Sequence, residues 1–192
     1  MKEIRTAEIK AELRADSLTA DKQETFNIIG KPIVFDTPTT IHDPAGEYIE
    51  IIRSGALDGA DLNDSRLLYN HDVNKIPLAR TPKTMSFNLT TAGLEMRAEL
   101  PNTASGKEIY EAVRRGDLSG MSFAFKVPKG GDSYDPLTNT RTIYKIEKVY
   151  EVSIVPYPAY PTTSVEARAL MEPREIAKRQ AIIKCNQIIA KL

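Results

Sequence analysis

The clearest structural signal in the sequence is a pair of alternating apolar segments on either side of a short turn. The apolar positions of the two segments are Met85, Phe87 and Leu89, then Leu94, Met96, Ala98 and Leu100. Residues two apart lie on the same face of a strand, so each segment predicts a strand with one apolar face. The intervening TTAG predicts the turn of a hairpin. A β-sheet is therefore the expected scaffold.

Other segments predict further strands and one well-bounded helix. The predicted strands are Phe26–Phe35 with a bend at Gly30 and Pro32, Glu47–Arg53, Met121–Val127 and Thr142–Val155. Thr103 can cap a helix over Ala104–Arg115 that Gly116 ends. SGALDGADLNDS predicts a short helical turn, and VPKGGDSYDPLTNT predicts a long polar loop. Many strands and few long helical segments favour a β-barrel-like domain.

The chain divides into three predicted regions. Residues 1–23 form a charged N-terminal arm, 24–167 the β-barrel domain, and 168–192 a C-terminal amphipathic helix or tail. Two roles remain open for that helix. It can pack on the barrel, or it can have a role apart from the folded domain.

Composition excludes several classes of function. Lys+Arg and Asp+Glu both number 26, which argues against a general nucleic-acid binder. A single cysteine excludes an intrachain disulfide framework, and with two histidines it is too few for a structural zinc site. We therefore expect no cofactor and no metal. The charged N-terminus does not resemble a signal peptide, and no run of about 18 apolar residues exists, so a soluble intracellular protein without a membrane partner is expected.

Ser122 is a candidate nucleophile. Strand alternation puts Met121 and Phe123 on one face and Ser122 on the other, beside the small residues Gly120 and Ala124. Small neighbours would let a polypeptide approach the hydroxyl. The alternative is an ordinary solvent-facing strand serine. No G-x-S-x-G motif is present, so an α/β-hydrolase arrangement has no support.

A serine hydroxyl needs a base to remove its proton, and the sequence offers His42 and His71. His42 lies in TTIHDPAGE, a turn-like segment where an exposed imidazole is expected. His71 ends the apolar run LLYNHD at the rim of a core, where its geometry can be held. It is the candidate base, or else a hydrogen-bonded residue at a strand end.

The base needs a third group to orient it, and Glu151 is the first candidate. The residues predicted to share one face of the last strand are Val149, Glu151, Ser153 and Val155. A carboxylate buried there is costly unless it is paired, and an imidazolium would supply the partner. Asp72 competes for this role, but adjacent strand residues point to opposite faces. Plain surface placement of Glu151 is the remaining alternative.

Four blocks of the sequence, in order, resemble the prohead (capsid maturation) proteases of tailed bacteriophages. They are GALDGADLNDSRLLYNHDVNKIPLAR, GLEMRAELPNT, RRGDLSGMSFAF and YEVSIVPYPAYP, and they cover roughly residues 25 to 165. That family is similar in fold to the herpesvirus assemblins, which are serine proteases. The resemblance implies a mainly β fold with α-helices, a single closed β-barrel decorated by helices, plus a C-terminal helix.

The resemblance also implies roles for single residues. His71 matches the histidine of the N-H-D block, Ser122 the serine of the G-hydrophobic-S-F-G-F block, and Glu151 the acid of the E-V-S block, although the related viral enzymes use a second histidine. Ala124 replaces the usual glycine, which would reduce activity if that glycine's backbone conformation is needed. Candidate oxyanion donors are backbone N–H groups near Phe123, or Arg80.

The function that the resemblance implies is a serine endopeptidase that cleaves the scaffold segment of the major capsid protein, and itself. It would act during maturation inside the procapsid in the host cytoplasm. The implied partners are the capsid protein, the procapsid shell and a second copy of the chain. One alternative is a catalytically inactive β-barrel scaffold protein, which Ala124 favours. Another is a fused scaffold-protease whose scaffolding arm begins at residues 168–192. The C-terminal helix can also serve packaging into the procapsid, or be a tail that the protease removes from itself.

Overall fold

The computed structural model describes residues 3–8, 25–43 and 46–156, with side chains described from residue 25 onward except those of His42 and Asp43. The described helix is α1 (Ala104–Arg115). The strands are β1 (Glu3–Glu8), β2 (Phe26–Val34), β3 (Thr39–Asp43), β4 (Gly46–Ile52), β5 (Arg66–Tyr69), β6 (Ala79–Arg80), β7 (Met85–Thr90), β8 (Gly93–Leu100), β9 (Gly120–Lys126), β10 (Asp132–Asp135), β11 (Thr140–Ile143) and β12 (Lys148–Val155).

These strands form three sheets. The five-stranded sheet has the order β1-β9-β12-β5-β6, the four-stranded sheet β10-β11-β4-β3, and the three-stranded sheet β2-β8-β7. Two pairs are parallel, β12 with β5 and β11 with β4. All three sheets and α1 contribute to one apolar core, whose fully buried members include Ile33, Leu67, Phe125, Ile143 and Val152.

The hairpin predicted from the alternating segments is confirmed as β7 and β8. They pair antiparallel, with Met85 opposite Ala98 and Thr90 opposite Gly93. Alternation places the apolar residues of β8 in the core, as predicted. Gly93 is needed at the turn because its φ is +149° and an added Cβ would lie 2.0 Å from the Ile33 carbonyl oxygen.

The predicted helix and both of its caps are confirmed. The Thr103 hydroxyl accepts a hydrogen bond from the Gly106 N–H at 3.3 Å. At the other end Gly116 is left-handed, and its N–H reaches the last turn. Val113 is buried, and the Tyr110 ring packs edge-on against Phe26 of β2 at 5.2 Å. Helix α1 therefore packs on the three-stranded sheet and leads directly to β9.

The closed, herpesvirus-protease-like barrel expected from the resemblance is wrong. Within residues 3–8, 25–43 and 46–156 each sheet is open and ends on two edge strands, and one short helix accompanies them. Closure requires strands that pair on both sides, but β6 has only two residues. In β2, Pro32 has no N–H to donate, and the register shifts between Gly30 and Ile33. The three sheets enclose the core by packing instead.

Two polar segments hold strands that the sequence did not predict. The turn-like segment around His42 forms β3, and the expected polar loop after Val127 forms the hairpin of β10 and β11. The stabilising contacts are distant in sequence: β11 pairs with β4, and Arg141 binds the buried Glu50 at 3.0 Å. The predicted strand Thr142–Val155 is therefore two strands in two sheets. The segment SGALDGADLNDS forms turns rather than a helical turn.

Two predicted regions are described only in part or not at all. From the predicted N-terminal arm, Glu3–Glu8 forms β1 and pairs antiparallel with β9. The predicted helix at 168–192 lies outside the described residues. Within the described ranges, no helix has both the length and the apolar character to cross a membrane.

Candidate active site

The five-stranded sheet brings the three sequence-predicted site residues together. Strand β12 is central: it pairs antiparallel with β9, placing Ser153 opposite Ser122, and parallel with β5, placing Ile154 opposite Tyr69. His71 lies two positions after the last residue of β5, beside β12. Its side chain points towards Ser122 of β9. Three segments far apart in sequence therefore meet on one face of the sheet.

The predicted orientation of Ser122 is confirmed. Met121, Phe123 and Phe125 belong to the apolar core, and the rings of Phe123 and Phe125 stack at 5.0 Å. Ser122 points to the opposite face, where Ala124 also lies, and both are fully buried. The small side chains on that face leave room for an imidazole next to the hydroxyl.

His71 is held by an unusual stretch of backbone. Asn70 and His71 both have left-handed φ values, +50° and +58°. Each such non-glycine residue costs on the order of 1–3 kcal/mol and persists only where surrounding contacts impose it. Three hydrogen bonds do so here: the Asn70 N–H to the Ile154 carbonyl at 2.9 Å, the His71 N–H to the Ser153 hydroxyl at 3.2 Å, and the Asp72 N–H to the Tyr69 carbonyl at 3.1 Å.

A β-bulge sets the direction of Glu151. The register of β12 against β9 shifts between Val149 and Glu151, so Val149 opposes Phe125 while Glu151 opposes Ala124. Such a bulge re-aims the following side chains. The prediction that Val149 shares a face with Glu151 is therefore wrong, because Val149 lies in the core. The prediction holds for Ser153 and Val155, which oppose Ser122 and Gly120.

The three side chains form a continuous series of hydrogen bonds. His71 Nε2 lies 2.7 Å from Ser122 Oγ, and His71 Nδ1 lies 2.6 Å from Glu151 Oε1. An ionised carboxylate only accepts, so in the neutral imidazole Nδ1 carries the proton and Nε2 accepts from the serine hydroxyl. Glu151 is 3% exposed, whereas the His71 side chain is 22% exposed. The carboxylate is therefore buried behind the imidazole.

The competing candidates have other partners. The Asp72 carboxylate accepts from the Asn74 N–H at 3.0 Å and lies 4.0 Å from Lys75 Nζ. The Arg80 guanidinium forms an ion pair with Asp64. Phe123 lies between Arg5 and Val152 in the two ladders of β9, where backbone N–H groups are used by the sheet. His42 belongs to β3, in the four-stranded sheet.

Sequence reasoning missed one residue of this cluster. Ser153 is fully buried, and its hydroxyl lies 2.5 Å from Glu151 Oε2. The available signal was its position two residues after Glu151, on the same strand face. In the part of the chain that the structure describes, no group of three or more His, Cys, Asp or Glu side chains could hold a metal ion.

Comparison with protein families identifies the family of this chain. The sequence model of the family described as caudovirus prohead serine protease matches residues 10–177. The chain belongs to this family. Prohead serine proteases take part in capsid maturation, so the chain is a serine protease of the phage prohead that acts on capsid proteins there. No curated protein and no solved structure matched the chain.

Proposed function

We propose that Ser122 is the nucleophile of this prohead protease, that His71 is its base, and that Glu151 orients the base. The observation that carries the proposal is the continuous hydrogen-bonded series from Ser122 through His71 to Glu151, at 2.7 and 2.6 Å. These are the distances at which a base can take a hydroxyl proton and a carboxylate can hold an imidazole.

The proposed reaction is acyl transfer. Ser122 Oγ attacks the carbonyl carbon of the scissile peptide while its proton passes to His71 Nε2. Glu151 stabilises the imidazolium that forms. The same proton then passes to the leaving amine, and the C–N bond breaks to give an acyl-enzyme. A water molecule, activated by His71, hydrolyses the ester and restores Ser122.

The proposed substrates are the scaffold segment of the major capsid protein and the protease chain itself. The family's place in prohead maturation supports a capsid-protein substrate. The burial of Ser122 adds a requirement, because a peptide carbonyl reaches a fully buried hydroxyl only if neighbouring chain moves aside. We expect an opening step before acylation, so a compact reagent should react with Ser122 sooner than a polypeptide does.

An inactive scaffold protein is the alternative function, and it rested on Ala124. The described residues with positive φ do not include Ala124, which lies inside β9 and is paired with both neighbouring strands. An alanine adopts such a strand conformation without strain. The glycine-to-alanine difference therefore gives no reason to expect inactivity.

The deciding experiment follows the intact mass of the purified chain over time, with and without a fluorophosphonate. With the reagent we expect wild type to be labelled once, and without it we expect wild type to lose terminal fragments. Neither change should occur in Ser122→Ala or His71→Ala. Ser119→Ala is the matched control, because Ser119 is exposed and precedes β9. If wild type keeps its mass, a peptide of the capsid scaffold segment is added. Labelling or cleavage near the wild-type rate in folded Ser122→Ala would exclude Ser122 as the nucleophile.

A further inference from the structure

Ser153 lies beside the proposed catalytic groups with its hydroxyl fully engaged. It is fully buried in β12, opposite Ser122 on one side and Leu68 on the other. Its Oγ lies 2.5 Å from Glu151 Oε2 and 3.2 Å from the backbone nitrogen of His71. A hydroxyl has one proton to donate and can accept two hydrogen bonds. Both functions are used here.

The direction of these bonds follows from the chemistry of the partners. A backbone N–H can only donate and an ionised carboxylate can only accept, so the Ser153 proton points to Glu151 Oε2. The other carboxylate oxygen accepts from His71 Nδ1. The bonds form a closed ring, from the His71 backbone through Ser153 and Glu151 back to the His71 ring. Base and carboxylate are thereby fixed relative to each other.

The bond to His71 also opposes backbone strain. His71 and Asn70 are consecutive left-handed residues, and such conformations last only where other contacts hold them. The Ser153 hydroxyl supplies the hydrogen bond at His71 itself. The Ser153 side chain therefore fixes both the backbone that carries the imidazole and the orientation of the Glu151 carboxylate.

The partners of the Ser153 hydroxyl distinguish it from a buried serine with a structural role, such as Ser65. Burying a hydroxyl costs free energy that its hydrogen bonds only offset, and a small apolar residue would fill the same space. Both partners of the hydroxyl belong to the proposed catalytic groups. We therefore expect its loss to change the reaction, in addition to any effect on the stability of the sheet.

We propose that Ser153 is a positioning residue that holds Glu151 and His71 in the geometry needed for proton transfer. The inference rests on the proposed roles of Ser122, His71 and Glu151. It predicts that losing the hydroxyl lowers the rate without removing the nucleophile. It also predicts a change in the pH dependence of the rate, because the hydroxyl binds the carboxylate that contacts the base.

The experiment measures the rate of fluorophosphonate labelling of Ser122 across pH, with melting followed by circular dichroism. We expect Ser153→Ala to lower the rate about 10- to 100-fold, the range for a bond to a charged group. The dependence of the rate on pH should also change. Ser153→Thr keeps the hydroxyl and should restore the wild-type pH profile. Ser153→Cys has a side chain of similar size that donates only weakly, so its pH profile should change less than that of Ser153→Ala. It replaces the alanine variant if that variant does not fold.

Ser65→Ala is the matched control. Ser65 is also fully buried and donates to β12, but to the Val149 carbonyl at 2.7 Å rather than to Glu151. It should melt lower with an unchanged pH profile. A wild-type rate and profile in folded Ser153→Ala would overturn the positioning role and leave the Ser122 proposal intact. Labelling of folded Ser122→Ala at the wild-type rate would instead overturn the proposed function itself.

Discussion

Replacing Glu151 by glutamine, which has nearly the same shape, tests the role of the carboxylate in the proposed triad. The amide can orient in two ways. With its oxygen towards His71 Nδ1, its NH₂ faces the Ser153 hydroxyl, which then has no acceptor for its own proton. With its NH₂ towards Nδ1, the ring must carry its proton on Nε2, which then cannot accept from Ser122. Both orientations remove the charge that stabilises the imidazolium.

The size of the effect follows from these contacts. A unit charge pair about 4 Å apart interacts by about 4 kcal/mol at an effective dielectric constant of about 20. That corresponds to about 10³-fold in rate, and the wrong tautomer raises the expected loss towards about 10⁴-fold. The assay is the labelling rate of Glu151→Gln with a fluorophosphonate, read by intact mass. Far-ultraviolet circular dichroism checks that the variant is folded.

The chain offers a matched control for this substitution. Glu50 is as buried as Glu151, at 3% exposure, but lies in the four-stranded sheet and pairs with Arg141. Glu50→Gln should lower stability and leave the labelling rate near wild type. If folded Glu151→Gln reacts within tenfold of wild type while Ser122→Ala does not react, Glu151 does not orient the base.

Three further predictions concern the fold. Arg141→Met deprives the buried Glu50 of its guanidinium and should cost about 3–5 kcal/mol in urea unfolding. Gly93→Ala combines a φ of +149° with a Cβ 2.0 Å from a backbone carbonyl oxygen, and should destabilise by more than about 1 kcal/mol in the same assay. The Lys148 ammonium, through its hydrogen bond, holds the pKa of Asp61 below the ordinary 3.8. The resulting contribution of Asp61 to the stability of the fold is present above pH 3.8 and is lost as pH falls through the lowered pKa. Asp61→Asn should therefore flatten the acid side of a plot of Tm against pH.

Two of these predictions have a control in the same chain. Lys126→Met breaks the exposed pair with Glu147 and should change stability little. Gly59 also has a positive φ, but a Cβ added there would have no neighbouring atom within 4 Å. Gly59→Ala should therefore lower the free energy of unfolding less than Gly93→Ala does. A loss in Lys126→Met equal to that in Arg141→Met would contradict the argument from burial. An unchanged acid side in Asp61→Asn would contradict the proposed source of acid sensitivity.

Local sequence patterns predicted those parts of the structure whose causes are local. The caps of α1, the hairpin of β7 and β8, and the orientation of Ser122 follow from residues within a few positions of one another. Strand alternation states which residues share a face. It does not state which strands are neighbours, and the expected barrel closure therefore failed.

The remaining errors have the same physical origin. The bulge between Val149 and Glu151 changes which residues of β12 share a face. The sequence of β12 does not predict the bulge, because the shift in register is defined only against β9. Strands β10 and β11 are short and polar, and their pairing depends on β4 and on the ion pairs of Arg141. Ser153 was placed on the correct face, but its proposed role depends on a hydrogen bond to the backbone of His71, 82 residues away.

The separation of the site residues along the chain has a consequence for timing. His71 lies 51 residues from Ser122 and 80 from Glu151, and only the parallel pairing of β12 with β5 and the antiparallel pairing of β12 with β9 unite them. Proteins whose contacts join distant parts of the chain fold more slowly than proteins with local contacts. On the proposed assignment, a chain whose sheet is incomplete has these three side chains apart, and we expect it not to cleave its neighbours. Proteolysis would then begin only after the sheet is complete, which would separate synthesis from activity in time.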